Sequence, residues 1–251
     1  PLVTLVLITI ALLSAYFGGL VLNDVVDVEH DKKHRPLRPI PMGIIPKKQA
    51  TLIGSALLVL PVLIAMCTQV RAAYFMMALS SCILIYTFLH RYLLPSLIFM
   101  GVCRGLVYVV AFSAFDVAFQ AEPLLIFAVG ITWYTAVLTL IAKNEHTHNK
   151  TKRWFVLLLL PAAFIPAMIY YTQFQLIFIL LALVIFTTWI AVTFVIFQLT
   201  SKSVHGIHAM LAGFCLLDFV YLSIIGELNI AIISGICFLF TLAAQRKILG
   251  T

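Results

Sequence analysis

Nine long runs of apolar residues divide this chain, and they constrain its fold more than any other feature. A helix needs roughly 20 apolar residues to cross the hydrocarbon core of a bilayer, where it satisfies its own backbone hydrogen bonds. With 63% hydrophobic and 10% charged residues, the chain cannot cover a water-soluble globule of its length. The sequence therefore predicts an all-α integral membrane protein, a multi-span helical bundle of about nine transmembrane helices. The predicted spans are 2–23, 50–68, 72–89, 93–115, 123–142, 154–171, 175–198, 207–225 and 228–244.

Basic residues support this division, because Lys and Arg collect in cytoplasmic loops. If the loop after the first span is cytoplasmic, alternation places fourteen basic residues on that side and only Arg71 opposite, with Arg104 inside a span. We therefore expect residues 24–48 and 143–153 to share the cytoplasmic face. The net charge of +7 follows from this orientation. The expected surroundings are a lipid bilayer, and the sequence predicts no nucleic-acid partner.

The whole chain, residues 1–251, is predicted to form a single membrane-embedded domain, because the sequence shows no soluble domain or linker. It opens with Pro1 in an apolar run, without an initiator Met or the basic region of a signal peptide, so we expect that an upstream first helix has been lost. The five cysteines lack the spacing of metal ligands and are interpreted as small core residues.

A charged stretch, NDVVDVEHDKKHRPLRPIPMG at residues 23–43, follows the first apolar run directly. Successive helical residues are about 100° apart, so Asp24, Asp27 and Asp31 fall within roughly 60° of one another, while Glu29 points elsewhere. Such carboxylates repel unless a cation lies among them, and oxygen ligands suit Mg²⁺. The basic residues that follow could hold a diphosphate. A solvated collar of charges is the alternative, but these acids begin within the apolar run, where a functional site is expected.

This stretch resembles the first aspartate-rich motif of the UbiA superfamily of intramembrane prenyltransferases. The residues that carry the resemblance are Asn23, Asp24, Asp27, Asp31, Arg35, Arg38, Pro39 and Gly43. The resemblance implies a helical bundle in which a Mg²⁺-bound isoprenyl diphosphate donor lies in a membrane-facing cavity and alkylates an aromatic or other lipophilic acceptor. It also implies ligands of Mg²⁺ and diphosphate at Asn23, Asp24, Asp27 and Asp31, and ligands of the phosphates at Arg35 and Arg38.

The superfamily carries a second aspartate-rich motif four spans later, where this chain has KNEHTHNK at residues 143–150. Lys143 fits that motif. Glu145 is the one acid there, and Asn149, four residues further on, could supply an amide oxygen. The resemblance implies Lys143 and Glu145 as catalytic residues alongside the three aspartates, and Glu145 and Asn149 as ligands of a second Mg²⁺. This divergent motif resembles the EboC-like subgroup.

Further substrate contacts are expected at Tyr86, Arg91 and Arg104. Tyr86 and Arg91, with His90 between them, stand where the superfamily often has a Tyr and a Lys-Arg pair. Arg104 lies about eleven residues into its span, too deep to reach the headgroups easily, so we expect it to face the cavity or Asp218.

Two functions fit these residues. One is Mg²⁺-dependent transfer of a polyprenyl group from its diphosphate to a lipophilic acceptor within the membrane. The other is a non-catalytic carrier that binds isoprenyl diphosphate with the same fold, which the loss of acids from residues 143–150 favours modestly. Release of diphosphate from the donor distinguishes the two.

Overall fold

The computed structural model describes residues 2–115, 121–143, 150–170, 176–199 and 204–247. These residues form ten α-helices and one 3₁₀ helix, and no strand is present among them. The α-helices are α1 (Leu2–Val26), α2 (Val28–His34), α3 (Lys47–Met66), α4 (Val70–Leu89), α5 (Leu93–Ser113), α6 (Ala121–Lys143), α7 (Pro161–Tyr170), α8 (Leu176–Leu199), α9 (Val204–Ile225) and α10 (Leu228–Lys247). The 3₁₀ helix, Lys150–Leu159, lies between α6 and α7.

Eight of the described helices are long and apolar enough to cross a membrane, which confirms the predicted multi-span α-helical architecture. The predicted span 154–171 differs, because it forms the end of the 3₁₀ helix followed by the ten-residue α7. Pro161 explains the break: it has no backbone N–H, and its ring disfavours an α conformation at the preceding Leu160. Leu160 instead donates its N–H to the carbonyl oxygen of Leu157 at 3.1 Å.

Small residues bring α1 and α3 together in the first of two compact units, residues 1–124. A Cβ added to Gly18 of α1 would lie 3.1 Å from the carbonyl oxygen of Gly54 on α3. One turn earlier, the hydroxyl of Ser14 donates to the carbonyl oxygen of Leu57 at 3.0 Å. Helices in lipid associate through such close backbone packing and interhelical hydrogen bonds, because the hydrophobic effect does not drive them together there.

Polar side chains also tie α4 to its neighbours in this unit. The hydroxyl of Ser80 donates to the carbonyl oxygen of Leu58 on α3 at 3.0 Å. The thiol of Cys82 lies 3.6 Å from the carbonyl oxygen of Phe99 on α5. These contacts hold α1, α3, α4 and α5 in register with one another, so that side chains near the end of α1 keep constant neighbours.

The second compact unit comprises residues 125–251, and aromatic side chains connect its helices. The buried hydroxyl of Tyr134 on α6 donates to the carbonyl oxygen of Met210 on α9 at 2.7 Å. The indole N–H of Trp189 on α8 donates to the adjacent carbonyl oxygen of Ala209 at 2.9 Å. Buried Tyr and Trp need partners for their polar atoms, and backbone carbonyls of α9 provide them.

Candidate functional site

The helix that carries the first acidic motif is interrupted once, at Asp27. This residue separates α1 from α2 with φ −86° and ψ 0°. The backbone N–H of Asp27 nevertheless donates to the carbonyl oxygen of Asn23 at 2.9 Å, and the N–H of Asp31 donates to the carbonyl oxygen of Asp27 at 2.8 Å. The i to i+4 hydrogen bonds therefore continue through the interruption, and the acidic residues keep a nearly helical spacing.

Arg38 joins two of the three motif aspartates. Its Nη1 donates to Asp24 Oδ1 at 2.7 Å and to Asp31 Oδ2 at 2.8 Å. The side chain of Asp31 is only 4% exposed, whereas that of Arg38 is 33% and that of Asp24 46% exposed. The buried carboxylate of Asp31 thus depends on Arg38 for its counter-charge, while Asp24 keeps access to solvent on one side.

Asp27 has a different set of cationic partners, at the end of α4. Its Oδ1 accepts a hydrogen bond from Arg91 Nη2 at 3.0 Å, and its Oδ2 lies 3.2 Å from His90 Nε2. The other ring nitrogen of His90 lies 2.8 Å from the carbonyl oxygen of Thr87, which can only accept. The guanidinium of Arg91 therefore presents positive charge to Asp27 at this end of α4, and the ring of His90 lies beside the same carboxylate.

An apolar cavity of about 220 Å³ lies among α1, α4 and α5 and reaches the acidic motif. Asn23 lines it from α1, Tyr86 from α4 and Arg104 from α5. The side-chain oxygen of Asn23 is buried and has no hydrogen-bond partner among the described residues. Asn23 precedes Asp27 by four residues, and Tyr86 precedes His90 by four. The residues that line the cavity and the residues of the charged cluster are therefore about one helical turn apart on both sides.

The other two acids border a separate cavity. Asp24, Asp31 and Arg38 line a space of about 230 Å³, and Ile45 of the connecting segment and Ile53 of α3 are among the apolar side chains that also line it. The structure therefore brings Asp24 and Asp31 together, and places Asn23 and Asp27 toward α4. The four predicted ligands of the first motif do not all line one cavity.

The donor set of this region suits a hard cation, because Asn23 and the three aspartates offer only oxygen atoms. The unpartnered oxygen of Asn23 is an available ligand. Within the described ranges, however, no three carboxylate, His or Cys side chains form a group that could hold a metal by themselves. Mg²⁺ commonly binds one or two carboxylates together with substrate phosphates. The residues therefore fit a Mg²⁺ ion that is shared with a diphosphate, and their role as metal ligands stays a prediction.

The remaining predicted site residues are Arg35, Lys143, Glu145 and Asn149. Arg35 caps α2 with an exposed side chain, and its backbone N–H donates to the carbonyl oxygen of Asp31 at 2.7 Å. Lys143 is the exposed last residue of α6, in the second unit. Glu145 and Asn149 lie outside the described residues, so the second motif stays a prediction.

Glu29, which helical spacing excluded from the acidic face, is exposed. It accepts a hydrogen bond from Lys32 at 2.9 Å, and this bond holds the pKa of the Glu29 carboxyl below its usual value. Glu29 therefore serves as a matched acidic control for the three aspartates, since it is neighbouring, ionised and engaged elsewhere.

Reasoning from the sequence missed two features of this cluster. Arg38 was expected on phosphates, yet it bridges Asp24 and Asp31, a contact made possible by the turn after α2. No site contact is predicted for His90 from the sequence, yet its ring lies beside Asp27. The Asp27 contact joins residues 64 positions apart, to Arg91, so no local periodicity could reveal it.

Apolar helices of membrane-spanning length, with acids and cations clustered beside an apolar cavity, define a helical membrane protein with a functional site near the ends of its spans. Residues 1–206 match the model of the UbiA prenyltransferase family, and the chain belongs to this family. Family membership and eight apolar helices make it an integral, multi-pass membrane protein.

One sequence relative and one solved structure are also similar to this chain. A stretch of 55 residues is 40% identical to digeranylgeranylglyceryl phosphate synthase of Saccharolobus solfataricus, and the match covers 22% of this chain and 20% of that relative. A solved structure from work on digeranylgeranylglyceryl phosphate synthase in membranes aligns with a TM-score of 0.65 at 15% identity, covering 91% of this chain and 87% of the other. At that identity the structural likeness is one of fold.

Proposed function

We propose that this protein transfers a polyprenyl group from an isoprenyl diphosphate to a lipophilic acceptor within the membrane, with Mg²⁺ as cofactor. The observation that carries the proposal is the junction between the apolar cavity and the charged cluster. Asn23 and Tyr86 line the cavity, and one turn further along the same two helices lie Asp27 and His90. An isoprenyl diphosphate has the matching form, a hydrocarbon chain ending in a compact polyanion.

Cations near the cluster have the chemistry that diphosphate departure requires. Negative charge develops on the leaving diphosphate, and fixed positive groups stabilise it. Arg91 is 56% exposed although it contacts Asp27, so its guanidinium retains donors for a phosphate. Arg104 lines the cavity itself and could orient a polar group of the donor or the acceptor. Apolar walls exclude water, which would otherwise consume an allylic cation.

Mg²⁺ would be held by the oxygens of Asn23, Asp24 and Asp27 together with the diphosphate, and it would neutralise charge on the leaving group. Asp31 contributes through Arg38, whose position it fixes with a buried ion pair. The predicted second motif, Lys143 with Glu145 and Asn149, would complete the charge balance.

The name of the matched relative suggests the first donor to test. A digeranylgeranylglyceryl phosphate carries geranylgeranyl groups, so geranylgeranyl diphosphate is a reasonable donor, with glyceryl phosphate ethers and aromatic alcohols as acceptor candidates. The protein in lipid nanodiscs should release diphosphate from this donor when an acceptor and Mg²⁺ are both present. Chelation of Mg²⁺ should stop the release.

The same experiment addresses a carrier function. Donor binding without diphosphate release, across a panel of acceptors and Mg²⁺ concentrations, would contradict transfer and support a non-catalytic isoprenyl-diphosphate carrier. Absence of donor binding would contradict both. Asp27→Ala distinguishes specific binding from partitioning of the hydrocarbon chain into lipid, because it removes charge while leaving the apolar cavity walls in place.

A further inference from the structure

The segment that connects α2 to α3, residues 36–45, exposes large apolar side chains although it lies outside the membrane-spanning helices. Leu37 is 83%, Ile44 66% and Met42 53% exposed. An exposed cluster of this kind marks an interaction surface more often than an isolated apolar residue does. We call these three side chains the apolar tip.

The backbone of this segment is folded into turns that fix the apolar tip outward. The N–H of Met42 donates to the carbonyl oxygen of Arg38 at 3.0 Å, and that of Gly43 donates to Ile40 at 3.0 Å. Gly43 has φ 78°, a left-handed conformation that side chains disfavour. Prolines at 36, 39 and 41 restrict the backbone further. The exposed apolar side chains are therefore held in place by the surrounding structure.

Exposed basic residues surround the apolar tip on both sides. They are Lys32, Lys33 and Arg35 before it and Lys47 and Lys48 after it. The exposed acid nearest to them in the chain, Glu29, is engaged with Lys32. Apolar side chains flanked by Lys and Arg are the composition of surfaces that lie in the headgroup region of a membrane and attract anionic lipids.

The position of the segment agrees with this composition. α1 and α3 pack against each other in the first unit, and both have the length of a membrane span. The segment joins the end of the α1–α2 helix to the beginning of α3 at Lys47, so it lies at the level where two spans leave the hydrocarbon core. Side chains pointing outward at this level meet lipid headgroups.

We propose that residues 36–45 and the flanking lysines form a docking surface for anionic phospholipid headgroups, with the apolar tip inserted among the upper acyl chains. This surface goes beyond the proposed transferase activity, and the apolar tip includes none of the residues placed in the candidate site, although Arg38 and Ile45 of the same segment line the cavity beside Asp24 and Asp31. A segment anchored in this way stays attached to the leaflet while Arg38 holds Asp24 and Asp31 from its other side.

Native mass spectrometry of the full-length protein can test the charge requirement. Phosphatidylglycerol and phosphatidylcholine are the two probes, offered separately to the protein in detergent. Each basic residue near an anionic surface strengthens binding by roughly fivefold, so Lys47→Gln combined with Lys48→Gln should weaken phosphatidylglycerol binding by about 25-fold. Gln49→Ala combined with Thr51→Ala removes two exposed, uncharged polar side chains from the same end of α3 and should have less than a threefold effect.

Fluorescence in nanodiscs tests insertion of the apolar tip. Leu37→Trp should gain emission that acyl-chain-brominated phosphatidylglycerol quenches, measured against the three native tryptophans of the wild-type protein. Equal affinity for the two lipids, equal effects of the two double variants, or unquenched emission from Leu37→Trp would overturn the proposal. The proposal would also be overturned if the protein formed a dimer that Leu37→Asp dissociates and if the quenching of Leu37→Trp did not depend on lipid charge. The apolar tip would then contact a second copy of the chain.

Discussion

Removing the charge of Arg38 should destabilise the protein through one particular carboxylate. Arg38→Gln leaves the Asp31 side chain, which is 4% exposed, without the guanidinium that now lies 2.8 Å away. Loss of one partner from a fully buried ion pair costs about 3–5 kcal/mol. Arg38 is itself one-third exposed, and a Gln at this position retains an amide donor. We therefore expect a loss near about 2 kcal/mol, below the lower end of that range.

The measurement is equilibrium unfolding in mixed micelles, with helical circular dichroism followed as the mole fraction of dodecyl sulfate rises at neutral pH. A double-mutant cycle isolates the pair. Asp31→Asn removes the buried charge, so in that background Arg38→Gln should cost about 1 kcal/mol or less, which gives a coupling energy of at least about 1 kcal/mol. A coupling energy within error of zero would refute the inference that Asp31 depends on Arg38.

Lys32→Gln provides the matched control, because it removes a nearby cation from the exposed pair with Glu29. Exposed pairs contribute little to stability, so Lys32→Gln should leave the unfolding transition unchanged within the error of the measurement. The sign of its pH dependence is fixed as well. The pKa of Glu29 is lowered in the folded protein, so the small contribution of this pair is present at neutral pH and is lost as the pH falls through the Glu29 pKa.

Asp27→Ala should weaken Mg²⁺-dependent donor binding at least tenfold, whereas Glu29→Ala should change it less than twofold. The reason is that Asp27 faces His90 and Arg91, while Glu29 points to solvent. Equal losses of affinity in an equilibrium binding assay would contradict this prediction. Gly18→Ala should destabilise the first unit by about 1–3 kcal/mol, because the new Cβ would meet α3 backbone at 3.1 Å; unchanged unfolding would show that the helices separate easily. Within the proposed transferase function, Glu145→Gln should lower turnover without loss of donor affinity. Asn149→Asp should raise turnover at limiting Mg²⁺. Unchanged turnover in both variants would show that residues 143–150 are not part of the metal site.

Helix positions were largely predictable, because an apolar run of about 20 residues can cross a bilayer only as a helix that satisfies its own backbone hydrogen bonds. The predicted span 93–115 appears as α5, Leu93–Ser113, and the predicted span 228–244 lies within α10. Membership of the UbiA family also followed from a short motif, which the match over residues 1–206 confirms. The assignment to the EboC-like subgroup stays a prediction.

The side-chain partners in the site were less predictable, because they depend on tertiary packing. Helical spacing placed Asp24 and Asp31 on one face, and the structure does join them through Arg38. The same spacing placed Asp27 with them, but contacts from the end of α4 draw this carboxylate toward His90 and Arg91. Helical periodicity predicts the direction in which the Cα–Cβ bond points. The position of the carboxylate at the end of the side chain also depends on which cations, distant in sequence, lie nearby.

The 3₁₀ helix before α7 changes how many times the second unit can traverse the bilayer. A 3₁₀ helix rises about 2.0 Å per residue, so its apolar part, Trp154–Leu159, covers about 12 Å, and the ten residues of α7 add about 15 Å. Their sum of about 27 Å is close to the hydrocarbon thickness of about 30 Å, although neither helix alone would reach across. If these two short helices cross the bilayer together, the chain traverses it four times after Lys143, and the end of α10 returns to the side on which α6 ends. That path would place Arg246 and Lys247 on the same side as Lys143, as the distribution of positive charge in the sequence predicts.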